Sequence, residues 1–221
     1  MVHQRAIFIT LEGGEGAGKT TQVVHLAGFL ARQGVKSILT REPGGTVLGK
    51  QIRSVLLNPE NAGMAAKTEL LLYMADRAEH VHTVIRPALS AGTTVLCDRF
   101  FDATLVYQGV ARGLAAEWIR QLHDLVFDGL KPDLTLLLDL PPEVGLARAR
   151  RQLEKGVRSR RESRFEDETL IFHQRVREGY LALAHQEPGR FRLIDAGQDE
   201  LRVRRDIQAA VEAVLNERRT A

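Results

Sequence analysis

Ala6-Ile7-Phe8-Ile9-Thr10-Leu11-Glu12-Gly13-Gly14-Glu15-Gly16-Ala17-Gly18-Lys19-Thr20-Thr21 is the stretch whose reading decides the fold. Its first six residues are a short apolar, β-branched run of the kind that forms a buried strand. Gly13 to Thr20 then satisfy G-x-x-x-x-G-K-[ST]. Behind them Val23, Val24, Leu26, Ala27 and Leu30 recur at helical spacing up to a stop at Gly34. Strand, glycine loop and helix in that order are the context that makes the motif a phosphate-binding P-loop. Glycines let consecutive backbone N–H groups turn inward around a phosphate chain, and the helix N-terminus adds partial positive charge. Gly13, Gly14, Glu15, Gly16, Ala17, Gly18, Lys19, Thr20 and Thr21 are therefore the expected ATP-binding residues. Lys19 is placed to reach the β- and γ-phosphates, and the Thr20 hydroxyl to ligate Mg²⁺.

Outward from the loop, strands and helices alternate to the end of the chain. Lys36–Thr40, Thr93–Cys97, Leu134–Leu140 and Phe191–Ile194 read as further strands. Helical patterns lie between them, with Pro87 expected to bend or break the long one that Thr68 starts. Helices are also expected near 102–109, 115–128 and 166–186, and from about Glu200. Near-continuous apolar strands separated by helices predict a parallel sheet covered on both faces, a doubly wound α/β domain. At 221 residues the whole chain, 1–221, is read as one domain. Hydrophobic content of 44% and charged content of 27% are ordinary for a soluble globular protein. No apolar segment approaches the roughly 18 residues that a membrane span needs. Cys97 is the only cysteine, so no disulfide can form within the chain. With no signal-like segment before the glycine loop, a cytoplasmic protein is expected, with no membrane partner.

In such sheets ligands gather beyond the carboxyl ends of the strands. One such end carries Asp98-Arg99, which offers an Mg²⁺- or water-orienting carboxylate beside a guanidinium able to fork onto phosphate. The same pair could equally be a structural ion pair at a helix start. The Asn-Lys-x-Asp motif of a GTP switch is absent. Between Arg148 and Arg164 stand Arg148, Arg150, Arg151, Lys155, Arg158, Arg160, Arg161 and Arg164, against only Glu154 and Glu162. Such a run is either a solvated face or an arginine-rich lid, about 152–164, that closes over a triphosphate and excludes water. A nucleic-acid patch fits less well, because no aromatics are interleaved and the net charge is only +3.

Phe8–Thr21, Thr40-Arg41-Glu42-Pro43-Gly44-Gly45-Thr46, Asp98-Arg99-Phe100, Tyr107-Gln108-Gly109, Pro132-Asp133-Leu134-Thr135 and Arg164-Phe165-Glu166 together resemble the bacterial thymidylate kinase family. They stand in the family's order over nearly the whole chain. The resemblance implies a three-layer P-loop NTPase fold with a five-stranded parallel sheet. It also implies transfer of the γ-phosphoryl group of ATP, with Mg²⁺, to thymidine monophosphate (dTMP) in a homodimeric enzyme of dTTP synthesis. Carried over by position, Glu15 would accept a hydrogen bond from the deoxyribose 3′-hydroxyl, while Arg53 and Arg99 would hold the acceptor phosphate. Tyr73 would stack on the base, Arg77 would reach its O4, Thr104 and Gln108 would contact its edge, and Tyr107 would press on the sugar. Glu42 is placed with these substrate-binding residues. Lys19, Asp98, Arg99 and Arg164 form the expected catalytic set, with Thr20 and Asp98 on the metal.

Three positions depart from the family pattern: Tyr73 replaces Phe, Ala103 replaces Ser, and Ser163 precedes Arg164 where Asp is usual. Lys19 is the glycine loop's only basic residue, and the resemblance to the family's bacterial branch then implies a catalytic arginine from the lid. Arg164 is the first choice, with Arg158, Arg160 and Arg161 behind it. Two rivals stay open: a different nucleoside monophosphate or deoxynucleoside kinase, and a non-catalytic ATP-gated P-loop module.

Overall fold

The computed structural model describes residues 6–156 and 159–220. Five strands form one parallel sheet: β1 (Phe8–Glu12), β2 (Ser37–Arg41), β3 (Thr94–Asp98), β4 (Leu134–Asp139) and β5 (Phe191–Asp195). Their order is β2-β3-β1-β4-β5, so β1 is central and the winding reverses beside it. All four pairings are parallel, with Thr10 in register with Cys97 on one side and Thr135 on the other. A parallel neighbour requires a crossover, and the helical segments between the strands supply it.

Alternation along the strands sends side chains into two separate cores. Phe8, Val95, Cys97, Leu137 and Phe191 face one side. There they meet α3 (Ala66–His80), α6 (Ala116–Phe127) and α8 (Leu170–Gln186) through residues such as Leu70, Phe127 and Tyr180. Ile7, Ile9, Leu11, Leu96, Leu136 and Leu138 face the other. They pack on α1 (Lys19–Arg32) and α9 (Glu200–Thr220) through Val23, Leu26, Leu30, Ile207 and Val211. These are the three layers expected of near-continuous apolar strands.

The remaining helices are α2 (Val47–Leu57), α4 (Arg86–Ser90), α5 (Phe101–Thr104) and α7 (Pro142–Glu154). Two helical stretches are less regular than their patterns suggest. The one begun at Ala66 passes through a wide π-type turn, Val81–Ile85, before α4, whose second residue is Pro87. The widened turn sits where the proline cannot donate an N–H to the preceding turn, which is the expected break in milder form. The stretch expected at 102–109 is α5 continued by a second π-type segment, Leu105–Ala111. The helix expected near 166–186 begins at Leu170, capped by the Thr169 hydroxyl on Phe172 N. The Glu42–Pro43 bond is cis.

Candidate active site

The glycine loop is shaped by how close its backbone comes to its neighbours. A Cβ at Gly13, where φ is +137°, would stand 2.4 Å from Leu138 O on β4. One at Gly16, φ +67°, would stand 2.0 Å from Gly145 O, and one at Gly145 would stand 2.2 Å from Glu15 O. The loop is therefore clamped between β4 and the first turn of α7 by backbone alone, which only glycines permit. Sequence reasoning found Gly13 and Gly16 but missed Gly145, whose only signal is its position in the first turn of a helix after the β4 end.

Inside the loop, Lys19 Nζ donates to Gly13 O at 2.9 Å and Gly14 O at 2.7 Å. Burial, and then the Arg99 guanidinium, lower this ammonium to about 8. The Thr20 hydroxyl donates to Asp98 Oδ2 at 2.7 Å, joining the start of α1 to the end of β3. The two expected metal residues are thus brought together. They are a hard-oxygen pair at an open rim, and among the described residues no group of three or more His, Cys, Asp or Glu side chains could cage an ion. That suits Mg²⁺, which keeps water and phosphate oxygens in its shell.

Arg99 lies in the left-handed region, φ 71°, which costs a non-glycine residue roughly 1–3 kcal/mol. Its backbone is pinned on every side: Arg99 N donates to Leu11 O at 3.0 Å, Cys97 Sγ to Arg99 O at 2.9 Å, and Phe100 N to Glu12 Oε1 at 2.7 Å. The guanidinium donates to Gly13 O at 3.0 Å, the Tyr180 hydroxyl at 3.2 Å and Glu15 Oε1 at 2.8 Å. The Tyr107 hydroxyl also donates to Glu15 Oε1, at 2.9 Å. Glu12 Oε2 accepts from Tyr180 at 2.7 Å. Glu12 and Tyr180 are fully buried and were missed by sequence reasoning, because partners 168 residues apart leave no local pattern.

Two cavities meet at Arg99. An open trough of about 1220 Å³ runs over Gly16–Thr21 and Asp98. A narrower slot of about 580 Å³ is walled by Tyr73, Arg77, Phe100, Ala103, Thr104, Tyr107 and Gln108. Glu15, Glu42, Arg53, Arg99 and Glu162 line both. Every expected substrate residue therefore reaches the slot. Arg77 is buried. Its Nε is paired with Glu42 Oε2 at 2.7 Å, and its Nη2 donates to Phe100 O at 3.1 Å. The second Glu42 oxygen meets His80 Nδ1 at 2.8 Å. Arg77 and Arg190 draw Glu42 and Asp102 into the interior; for Glu42, burial is outweighed by Arg77 and His80, so its carboxyl is lowered. The Thr104 hydroxyl is buried with no hydrogen-bond partner, which marks it as a polar group that a ligand would satisfy.

The lid expectation needs one correction. Arg164 does not point over the glycine loop. It is 2% exposed, its Nη1 pairs with the fully buried Glu69 Oε2 at 2.7 Å, and its Nε donates to Leu56 O. Withdrawing it would leave the buried Glu69 charge to the longer contacts of Arg112, at 3.2 and 3.3 Å, and would be destabilising. Arg164 anchors the end of the arginine-rich run to α2 and α3. Gln152, Ser159 and Glu162 line the trough, and the short turn Arg160–Glu162 stands beside it with Arg160 and Arg161 exposed. Arg53 is paired with Glu162 at 2.8 Å. Arg158 lies outside the described residues.

The thymidylate kinase family model matches residues 11–207. A thymidylate kinase of Desulforapulum autotrophicum is 58% identical over 190 residues, covering 86% of this chain and 84% of that protein. One of Desulfosudis oleivorans is 53% identical, covering 94% and 97%. The crystal structure of thymidylate kinase from Ehrlichia chaffeensis superposes with a TM-score of 0.74 at 34% identity, covering 94% of this chain and 98% of that one.

Proposed function

The chain belongs to the thymidylate kinase family, and on that premise we propose the roles of its site residues. The enzyme transfers the γ-phosphoryl group of ATP to dTMP, giving dTDP and ADP. ATP occupies the trough, its β- and γ-phosphates on the loop N–H groups and Lys19. For this Lys19 leaves the loop carbonyls it now caps. The dTMP base enters the slot, stacked on Tyr73, with Arg77 at O4 and with Thr104 and Gln108 at its edge. Its phosphate comes to Arg53 and Arg99, and its sugar to Glu15 and Tyr107.

The observation that carries this reading is the shared rim, where the trough and slot open onto the same Arg99 and Arg53. Two anionic ends that meet there would repel, and guanidiniums at the junction cancel that repulsion while holding the reactants in line. The acceptor is already an anionic oxygen, so transfer needs no general base and proceeds directly. Mg²⁺ held by Thr20 and Asp98 would neutralise charge on the β- and γ-oxygens. With Arg164 committed to Glu69, the lid arginine acting on the transition state is supplied by the Arg160–Glu162 turn.

The enzyme is further read as a homodimer. Leu71 on α3 and Trp118, Leu125 and Val126 on α6 stand exposed as the apolar surface a second copy would cover.

The test mixes enzyme, ATP and Mg²⁺ with each nucleoside monophosphate and free deoxynucleoside in turn and follows ADP. Rapid ADP release with dTMP alone is expected. The same assay on Arg160→Ala and Arg161→Ala should lower kcat by about 10³ in one of them with little change in the KM for ATP. Equal turnover on several monophosphates, or none on any, overturns the reading.

A further inference from the structure

We infer that Glu69, which lies outside the slot and touches no substrate, selects the base by fixing which end of the Gln108 amide faces it. This rests on the slot being the base site. Glu69 sits on α3 with no solvent exposure. Its Oε1 accepts from Gln108 Nε2 at 2.7 Å and Arg112 Nε at 3.3 Å; its Oε2 accepts from Arg112 Nη2 at 3.2 Å and Arg164 Nη1 at 2.7 Å. Two guanidiniums face this side chain, so it stands as an acceptor-only carboxylate.

An amide opposite an acceptor-only group must present its NH₂. The orientation of Gln108 is thus dictated by chemistry and not by a choice between equal fits. With its nitrogen committed to Glu69, Gln108 keeps its carbonyl oxygen for the slot it lines. A carbonyl there accepts from a pyrimidine whose N3 carries hydrogen, as in thymine. It opposes the N3 lone pair of cytosine. Glu69 is therefore a positioning residue for specificity, acting through Gln108.

Glu69→Gln reads this out. At the Oε2 position both neighbours are guanidiniums, which can only donate, so the new side chain must keep its oxygen there. Its NH₂ then falls at the Oε1 position, opposite Gln108, which alone can turn over. Turning brings the Gln108 NH₂ to the slot. The variant should raise the KM for dTMP about tenfold and improve use of dCMP by a similar factor, so that the dTMP-to-dCMP ratio of kcat/KM falls roughly 100-fold. An unchanged ratio, with kcat or stability lowered for both substrates alike, would make Glu69 merely structural and overturn the inference.

Gln108→Leu separates this from the underlying reading. It should raise the KM for dTMP without any gain for dCMP. If it alters neither, the slot does not hold the base and the functional reading itself fails. Should Glu69→Gln not fold, the Gln108 side-chain NH₂ signals of ¹⁵N-labelled wild type decide. They should be protected from solvent exchange in the free enzyme and hold their shift through a dTMP titration. Signals that become protected only when dTMP binds would place the NH₂ in the slot and refute the inference.

Discussion

At the residue scale, most groups of the site announce themselves in the sequence because their chemistry is local. Lys19 and Thr20 follow from the glycine pattern, and Asp98-Arg99 from the end of a strand. What the sequence hides is commitment. Arg164 sits in an arginine-rich run like its neighbours, yet its partner Glu69 lies 95 residues earlier and removes it from the donor phosphates. No spacing rule carries that information. His123 shows the same limit. It is fully buried, stacked on Phe101 with ring centroids 3.6 Å apart, and bonded through Nε2 to Leu130 O at 2.9 Å. Burial, and then the charge of Arg77, lower it to about 4. The unfolded chain therefore binds a proton that the folded one refuses between about 6.5 and 4. Its contribution to stability is complete above pH 6.5 and lost as pH falls through that window. Glu12 runs the other way, raised to about 7 chiefly by burial, so the folded state keeps its proton longer and that contribution fades as pH rises. A difference measurement isolates the histidine. His123→Phe should be less stable than wild type at pH 7, and the gap should narrow steadily between pH 6.5 and 4.5 in denaturant titrations. A gap independent of pH would contradict the assignment.

At the element scale, the inner strands β1, β3 and β4 were legible because they are buried on both faces and so are nearly continuously apolar, while the edge strands β2 and β5 are partly exposed and mix polar residues with apolar ones. The helices were legible as periodic patterns, but not their widened turns at Val81–Ile85 and Leu105–Ala111. There the backbone shifts register while the side-chain pattern barely changes. The clamp on the glycine loop belongs to this scale too. Alanine normally stabilises a helix position relative to glycine by roughly 0.5–1 kcal/mol. At Gly145 the added Cβ would meet Glu15 O at 2.2 Å, so the sign reverses. Gly145→Ala should raise the KM for ATP at least tenfold, with little effect on the KM for dTMP, and should lower the melting temperature. A more stable variant with unaltered ATP kinetics would show that the loop does not lean on α7.

At the scale of the whole molecule, the sheet order puts the central strand between β3, which ends at Asp98-Arg99, and β4, which leads into α7. The winding reversal beside β1 leaves the loop after it, the Asp98-Arg99 turn after β3 and the start of α7 after β4 converging on one rim. That convergence follows from alternating strands and helices, and so was readable from the chain. The closure of the rim was not. It depends on long-range contacts such as Arg53–Glu162 and on the buried brace of Glu12 and Tyr180 beneath Arg99. The role proposed for Arg99, neutralising two phosphate groups as they meet, is open to steady-state kinetics of Arg99→Met. With that role, kcat falls by about 10²–10³ and the KM for ATP changes only a few-fold. A variant whose kcat is intact and whose only defect is a higher KM for dTMP would contradict it.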